Sequence, residues 1–125
     1  MKRNWDTIRQ ILVKVEECTL PTEIVRLGDF QKADAAEVSY HMALLIDAGL
    51  VEGHMSKTIG PEVKDFFAYK LTWGGHEFLD SIRSDTVWHK TKKLFAEQGI
   101  SMTFDLVKEG SKKMAFTLIG VSAGG

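Results

Sequence analysis

Apolar residues recur every three or four positions near the start of the chain, which is the spacing of one face of an α-helix. The predicted face consists of Trp5, Ile8, Ile11, Leu12, Val15 and Cys18. Asn4 precedes this face in the position of a capping residue, and Pro21 follows it where a helix cannot continue. We therefore predict a first helix, and we interpret the β-branched stretch over residues 23–30 as a short strand.

The clearest helical pattern of the chain begins near residue 34. Asp34 and Glu37 form an Asp-x-x-Glu pattern, which is typical of a helix N-terminus. The residues predicted to face inward are Ala35, Val38, Met42, Leu45 and Ile46. Gly49 follows in the position of a left-handed C-cap, so we predict that this second helix ends there.

Aromatic and β-branched residues then form two extended segments on either side of a polar loop. Residues 50–53 leave the second helix, residues 54–65 are polar, and residues 66–73 are rich in aromatic side chains. This arrangement predicts a β-hairpin with a long tip. Three more helices are predicted after the hairpin, and their expected capping residues are Thr72, Asp85, and either Ser101 or Thr103.

The order helix, short strand, helix, β-hairpin and further helices is that of a winged-helix domain. Residues 38–52 resemble the recognition helix of small bacterial winged-helix regulators, which commonly read Val-Ser-x-His-Leu-x-x-Leu and then Ala-Gly-Leu-Val. Residues 71–79 are similar to the Leu-Thr-x-x-Gly-x-x-x-Leu with which those proteins leave the wing. The short interval 27–33 predicts that the supporting helix of a helix-turn-helix is missing or reduced to a turn.

The resemblance implies an α+β, mostly helical fold. We expect a winged-helix domain over residues 1–84, made of a helix, a short strand, a recognition-type helix and a β-hairpin wing. Residues 85–125 are expected to form a C-terminal helical extension that packs on the same domain.

A wider resemblance is to an uncharacterised bacterial and phage-borne family of domains of unknown function. Members of that family open with Met-Lys-Arg-Asp-Trp-Asp, and residues 1–6 read Met-Lys-Arg-Asn-Trp-Asp. They carry Tyr-His, Leu-Leu and Ala-Gly-Leu, found here over residues 40–50, and Leu-Thr-Trp-x-Gly-His-x-Phe-Leu-Asp, found over residues 71–80. The resemblance covers most of residues 1–95. It supports the fold and a regulatory or phage-related setting, and it implies no known activity.

The composition fits one globular domain. The 125 residues are 44% hydrophobic and 26% charged, with a net charge of −1. About two thirds of the unfolded surface can be buried at this length, which suffices for a core without disulfides, and one cysteine excludes an internal disulfide framework. No apolar run approaches the roughly 18 residues of a membrane span, and the N-terminus is charged from the start. We expect a cytoplasmic protein that does not contact membranes.

The sequence contains no catalytic or metal-binding pattern. The histidines, of which no two lie three or four positions apart, are His41, His54, His76 and His89. A glycine-rich phosphate loop, a nucleophile elbow and a paired carboxylate site are also absent. We therefore expect no enzymatic activity, no cofactor and no metal. Cys18 is expected to be buried and unreactive, and His41 to pack at the helix edge with a hydrogen bond to the backbone.

The outward side of the second helix is the surface with which a winged-helix domain would meet DNA. In the usual docking mode, the second helix would approach base edges with Ser39, Tyr40 and Ala43. The wing would contact phosphates with Lys57 and Lys64. That side of the helix has no Lys or Arg, and the acidic Glu37 and Asp47 would oppose the DNA backbone. The charge pattern therefore disfavours DNA binding by this helix alone.

Two other groups of residues are candidate contacts. Lys90, Lys92 and Lys93 on the predicted fourth helix form either a phosphate-contacting patch or a solvated helix face. The second group consists of Tyr40, Ala43 and Leu44 on the second helix. These residues either contact a protein partner or pack under the last helix.

Two hypotheses for the function follow. The first is a non-catalytic winged-helix binding module of the transcriptional-regulator type. Its DNA binding is inferred by analogy with other proteins of that fold. The second is a phage-related protein–protein interaction adaptor that has lost the basic DNA-reading face. We also expect either a homodimer through the C-terminal helices or packing on the first helix, because the last segment has more apolar residues than one helix face needs. These residues are Phe104, Leu106, Val107, Met114, Phe116, Leu118, Ile119 and Val121.

Overall fold

A computed structural model describes residues 1–57, 60 and 62–120 of the chain. The helices in these residues are α1 (Trp5–Glu16), α2 (Ala35–Asp47), α3 (Trp73–Ile82), α4 (Asp85–Gln98) and α5 (Phe104–Leu118). The strands are β1 (Val51–Met55) and β2 (Phe66–Leu71), which pair as an antiparallel hairpin. Single-turn 3₁₀ helices cover Leu27–Asp29 and Lys32–Asp34. The predicted mixed α+β, mostly helical composition is confirmed.

The chain divides into two compact units, which we call the N-terminal unit (Met1–His76) and the C-terminal unit (Glu77–Gly125). The N-terminal unit holds α1, α2, the hairpin and the first residues of α3. The C-terminal unit holds the rest of α3 together with α4 and α5. The division into a winged-helix domain over residues 1–84 and an extension over residues 85–125 stays a prediction.

Helix α1 begins and packs as its sequence pattern predicts. The side chain of Asn4 accepts hydrogen bonds from the backbone amides of Asp6 (3.0 Å) and Thr7 (3.3 Å). The buried apolar side chains of this helix are Ile8, Ile11, Leu12 and Val15. Helix α1 packs against α2 and β2. Its apolar face is therefore part of the core of the N-terminal unit.

Cys18 corrects one expectation, because its side chain is half-buried rather than buried. Desolvation raises the pKa of the Cys18 thiol, and the charges of Glu23, Asp29 and Glu17 raise it further. The thiol is therefore protonated at neutral pH, which agrees with the expected low reactivity.

The strand predicted over residues 23–30 does not form as such. Val25 makes an isolated antiparallel bridge with Ala68, with N···O distances of 2.9 and 3.0 Å. The chain then turns into a 3₁₀ helix, because the Asp29 side chain accepts a hydrogen bond from the amide of Arg26 (2.8 Å). Local side chain–backbone bonding of this kind competes with extension of a strand.

Helix α2 ends as predicted but begins differently. The side chain of Asp34 makes no capping hydrogen bond, so the predicted capping pattern is wrong. The Glu37 carboxylate instead accepts a hydrogen bond from Thr7 Oγ1 (2.9 Å), which ties α2 to α1. At the other end Gly49 has a φ of 75° and its amide donates to Ile46 O (3.1 Å), as expected for a left-handed C-cap.

The later helix starts follow the predicted caps with one shift. Thr72 Oγ1 accepts from the amide three residues ahead (3.1 Å), and Thr103 Oγ1 does the same for α5 (3.3 Å). The cap of α4 is Ser84, whose hydroxyl accepts from the amide of Val87 (3.3 Å), so the prediction of Asp85 is wrong by one residue. Asp85 is the first helical residue, where its negative charge interacts favourably with the positive end of the helix dipole.

Helices α4 and α5 pack together within the C-terminal unit. Helix α5 is continuous through Gly110, although glycine lowers helix propensity. A Cβ at this position would lie 3.1 Å from Cε2 of Phe95, so the glycine makes room for that ring. The buried apolar side chains of this unit are Phe78, Leu79, Ile82, Val87, Trp88, Phe95 and Val107.

Candidate functional site

Helix α2 is braced against the hairpin in the N-terminal unit. Ser39 is buried, and its hydroxyl donates a hydrogen bond to the carbonyl oxygen of Lys64 (2.7 Å). Thr72 Oγ1 donates to the carbonyl oxygen of Gly49 (2.5 Å), where the helix ends. The structure therefore places Ser39 in a structural brace and not on the exposed side where it was expected to approach base edges.

An exposed strip remains on α2, which we call the α2 strip: Tyr40, Ala43 and Leu44. Tyr40 is 39% exposed, and the other two side chains are half-buried. Helix α2 contains two acidic residues, Glu37 and Asp47, and no Lys or Arg, so its formal charge is −2. The α2 strip is thus an aromatic and aliphatic surface with acidic neighbours.

His41 lies behind this strip and is fully buried, so its predicted position at the helix edge is wrong. Its expected hydrogen bond to the backbone is present, since Nδ1 lies 2.7 Å from the carbonyl oxygen of Glu37. Nε2 accepts a hydrogen bond from the backbone amide of Asn4 (2.7 Å). Because Nε2 is an acceptor, the network assigns the ring proton to Nδ1, which donates to Glu37. His41 therefore serves the packing of α2 on the start of α1.

The outer face of the hairpin is shaped by a β-bulge. Gly53 pairs with Ala68 and Glu52 pairs with Lys70, which makes Tyr69 the extra residue on β2. A Cβ on Gly53 would collide with the carbonyl oxygen of Phe67 and would lie 2.9 Å from Cα of Ala68, so this close approach requires glycine. The bulge leaves both Tyr69 and Lys70 exposed.

A stack of side chains follows on this face, and we call it the hairpin stack: Arg26, Phe67, His54 and Tyr69. The guanidinium carbon of Arg26 lies 4.5 Å from the ring centroid of Phe67. The rings of Phe67 and His54 stack at 5.0 Å with an interplanar angle of 29°. The ring of Tyr69 lies 5.7 Å from that of His54, and its hydroxyl lies 3.3 Å from His54 Nδ1. One guanidinium and three rings are therefore in sequential contact.

Asp65 holds the first member of this stack in place. Its carboxylate makes an ion pair with Arg26 and accepts hydrogen bonds from the amides of Leu27 (3.0 Å) and Phe66 (2.8 Å). Desolvation by burial raises the pKa of Asp65, but these hydrogen bonds and the charge of Arg26 outweigh it, so the pKa is lowered overall. Asp65 is therefore an ionised anchor at neutral pH.

The hairpin stack was missed in the sequence analysis. Phe67 and Tyr69 alternate with the buried Phe66 and Ala68, which is a signal for two aromatic residues on the outer face of the strand; Phe67 is half-buried there and Tyr69 is exposed. Their meeting with His54 depends on the register of the hairpin and on the bulge. Neither feature can be read from the spacing of residues alone.

The basic residues that were predicted to contact phosphate are distributed over both units. Lys57 and Lys64 are exposed on the hairpin. In the C-terminal unit Lys90 and Lys93 are exposed, and Lys93 Nζ lies 3.8 Å from a carboxylate oxygen of Glu97. Lys92 is half-buried, and its ammonium nitrogen lies 5.3 Å from the ring centroid of the buried Trp88. The three helical lysines therefore do not form a uniform exposed patch.

An apolar depression lies on the surface of the C-terminal unit, with a cavity volume of about 260 Å³. We call it the α4–α5 depression. Its lining residues are Leu94, Phe95, Gln98, Ile100, Leu106, Glu109, Gly110 and Lys113. The side chain of Leu106 is 47% exposed, and Leu94 and Ile100 are also exposed. Phe116 and Ile119 add further exposed apolar surface on α5 and at its C-terminal end. Val121, which was predicted to belong to the same apolar segment, lies outside the residues that the structure describes.

Metal-binding clusters and membrane-spanning helices are absent from the parts of the chain that the structure describes. Residues 1–57, 60 and 62–120 contain no group of three or more His, Cys, Asp or Glu side chains placed to hold a metal ion. Across the same described ranges, no helix combines the length and apolar character needed to cross a membrane.

Comparisons with known proteins identify relatives over most of the chain. The profile of a family described as "Hypothetical protein (DUF2513)" matches residues 2–101. An uncharacterized protein of Haemophilus influenzae is 38% identical over 109 residues, which cover 87% of this chain and 91% of that protein. No solved structure matches the chain significantly.

Proposed function

The chain belongs to the DUF2513 family of hypothetical proteins, and we propose that it is a non-catalytic DNA-binding module of the winged-helix type. The observation that carries this proposal is the hydrogen bond from Ser39 to Lys64 O, which fixes α2 relative to the hairpin. A helix that enters the major groove and a hairpin that contacts the neighbouring phosphates need a fixed relative position to bind one duplex together. The order α1, α2, hairpin, α3 supports the same assignment.

The supporting helix of a helix-turn-helix is replaced here by two 3₁₀ turns, Leu27–Asp29 and Lys32–Asp34. This agrees with the expected reduction to a turn. Helix α2 therefore lacks the preceding α-helix that packs against the recognition helix in a full helix-turn-helix. We propose that the hairpin compensates by making the phosphate contacts.

The charges of the N-terminal unit favour the hairpin as the DNA-contacting element. Arg26 and residues 51–71 carry four basic and three acidic side chains, a formal charge of +1, whereas α2 carries −2. Neutralisation of phosphates supplies most non-specific affinity for DNA. Lys57 and Lys64 of one chain would give a log–log salt slope of only about −2.

A homodimer would double these contacts and raise the slope to about −4. The α4–α5 depression supports a dimer, because Leu94, Ile100 and Leu106 expose apolar surface around it. Glu109 and Lys113 also line the depression. Glu109 Oε1 lies 3.8 Å from Lys112 Nζ of its own chain, and opposite charges on one face such as Glu109 and Lys113 are self-complementary across a two-fold axis. We place this dimer in the bacterial cytoplasm, in a regulatory or phage-related setting.

Fluorescence anisotropy with labelled genomic DNA fragments at several salt concentrations tests the proposal. We expect binding with a slope near the dimer value, and we expect the double variant Lys57→Glu, Lys64→Glu to lose it. The matched control is Lys90→Glu, Lys93→Glu, which changes the same number of charges on α4. Absence of binding by wild type at low salt, or an equal loss in both double variants, would contradict the hairpin-based mode.

A protein-binding adaptor is the second candidate, and the α2 strip is the observation that favours it. Tyr40 is exposed and has acidic residues on its own helix, which suits a basic protein partner. In that case Tyr40→Ala abolishes partner capture while DNA affinity scarcely changes. Affinity purification from the native host followed by mass spectrometry, with wild type and Tyr40→Ala in parallel, separates the two functions.

A further inference from the structure

The hairpin stack has an open end. Arg26 and Phe67 form one end of the stack, where Asp65 fixes the guanidinium. Tyr69 forms the other end and is 37% exposed, and the neighbouring His54 is also exposed. The ring of Tyr69 is tilted by 49° to that of His54, and its exposed side is the place where a further flat ring can join the stack.

Tyr69 is the extra residue of the bulge, and the bulge brings the next residue, Lys70, to the exposed face beside it. In an unbulged strand the side chain next to an outward Tyr69 would point to the opposite face, yet Lys70 is exposed as well. The bulge requires the bare backbone of Gly53. The same local distortion thus presents an aromatic ring and an ammonium group side by side.

Rings and cations in this arrangement match the chemistry of unpaired nucleobases. Bases stack on Tyr, His and Phe rings and on guanidinium planes, and their phosphates are neutralised by neighbouring Lys and Arg. Lys70 is well exposed, although its Nζ lies 3.6 Å from a carboxylate oxygen of Glu52. In a duplex the faces of the bases are already stacked on one another, so a ring platform of this kind selects unpaired bases.

We propose that the outer face of the hairpin binds single-stranded DNA by stacking an unpaired base on Tyr69, the exposed end of the hairpin stack. This inference rests on the proposed function in DNA binding and extends it to a preference for unpaired or locally opened strands. Arg26 holds the stack from its closed end, and Lys70 contacts the phosphate next to the stacked base.

Fluorescence anisotropy with a labelled oligothymidine tests the proposal in the full-length protein. We expect Tyr69→Ala to weaken binding by roughly 5-fold to 150-fold, which corresponds to the loss of about one base–aromatic stack. Tyr69→Phe retains the ring and is expected to keep most of the affinity. The control is Trp73→Ala, which removes an aromatic ring that is 81% exposed at the start of α3 and is expected to leave oligothymidine binding unchanged.

A second readout does not depend on the folding of any variant. Wild-type protein is irradiated with an oligonucleotide that contains 5-iododeoxyuridine, and the crosslinked peptide is mapped by mass spectrometry. Crosslinks within residues 52–57 or 66–71 support the proposal, whereas crosslinks confined to α2 or to the C-terminal unit overturn it. Equal losses of affinity in Tyr69→Ala and Trp73→Ala would overturn it too.

A duplex of the same length and an oligouridine complete the experiment. Binding of duplex without binding of oligothymidine overturns this inference and leaves the proposed function standing. Binding of oligothymidine alone supports the inference and contradicts a function on duplex DNA, and binding of neither contradicts both. Tighter binding of oligouridine than of oligothymidine overturns the assignment to DNA.

Discussion

The backbone amide of Asn4 donates a hydrogen bond of 2.7 Å to Nε2 of His41, across 37 positions of the sequence. The side chain of the same asparagine caps α1, so Asn4 contributes to two separate hydrogen-bond systems. His41 satisfies both of its ring nitrogens, one with this amide and one with Glu37 O. A fully buried histidine is thereby accommodated without an unpaired polar atom on the ring.

The two roles of Asn4 are separable by mutation. His41→Ala is expected to destabilise the protein by about 2–4 kcal/mol, because it leaves a cavity and unpairs the Asn4 amide and the Glu37 carbonyl. Asn4→Ala keeps the backbone amide and loses only the cap, which costs about 1 kcal/mol. Urea denaturation of both variants measures the difference. Equal losses would show that the His41 hydrogen bonds contribute nothing beyond the cap.

Leu45 tests the assignment of the buried face of α2. Its side chain is buried, whereas that of the adjacent Leu44 is half-buried. Leu45→Ala is expected to lower the free energy of unfolding by about 2–5 kcal/mol, and Leu44→Ala by clearly less. A loss below about 1 kcal/mol for Leu45→Ala in chemical denaturation would mean that this face assignment is wrong.

Gly53 controls the bulge on the hairpin. Gly53→Ala brings a Cβ against the Phe67 carbonyl oxygen and within 2.9 Å of Ala68 Cα, so the strands must move apart. We expect a lower thermal midpoint and loss of the NMR ring-current shifts between Tyr69 and His54. Gly28→Ala is the matched control, since a Cβ there meets no atom within 4 Å, and it is expected to be neutral. Unchanged ring-current shifts in Gly53→Ala would contradict the required close approach.

Asp65 makes part of the stability dependent on pH. Its pKa in the folded protein is lowered, because hydrogen bonds from Leu27, Arg26 and Phe66 outweigh the desolvation that raises it. Its contribution to stability is therefore present above the unfolded pKa of about 3.9 and is lost as the pH falls through the lowered folded value. The stability difference between wild type and Asp65→Asn is expected to be constant near neutral pH and to shrink below pH ~4. Denaturation at a series of pH values measures it, and a difference independent of pH would contradict this role.

The α4–α5 depression predicts the oligomeric state. Leu106 is 47% exposed at its edge, so Leu106→Glu can be introduced without burying a charge in the C-terminal unit. We expect wild type to show a dimer mass in light scattering at tens of micromolar and Leu106→Glu to show a monomer mass with an unchanged circular dichroism spectrum. A monomeric wild type at that concentration would exclude the dimer.

The features that the sequence determined by itself are those stabilised within a few residues. Asn4, Gly49 and Thr103 each bond to backbone groups no more than three positions away, and each could be assigned from its spacing to a helical pattern. The apolar faces of α1 and α2 follow in the same way, because helical periodicity is a local property. The error at Asp85 is one residue, since adjacent polar residues compete for the same capping position.

The features that only the tertiary structure decided join residues that are far apart in the sequence. The isolated bridge of Val25 depends on Ala68, which lies on β2. Asp34 makes no capping hydrogen bond, and Glu37 instead accepts a hydrogen bond from Thr7 on α1. The burial of Ser39 and the hairpin stack both depend on where the returning strand lies. That position is set by register, and a shift of one residue moves every side chain of a strand to the opposite face. The pattern of residues thus determined the five helices and the hairpin, while the pairing of β1 with β2 and the bulge at Tyr69 decided which side chains meet.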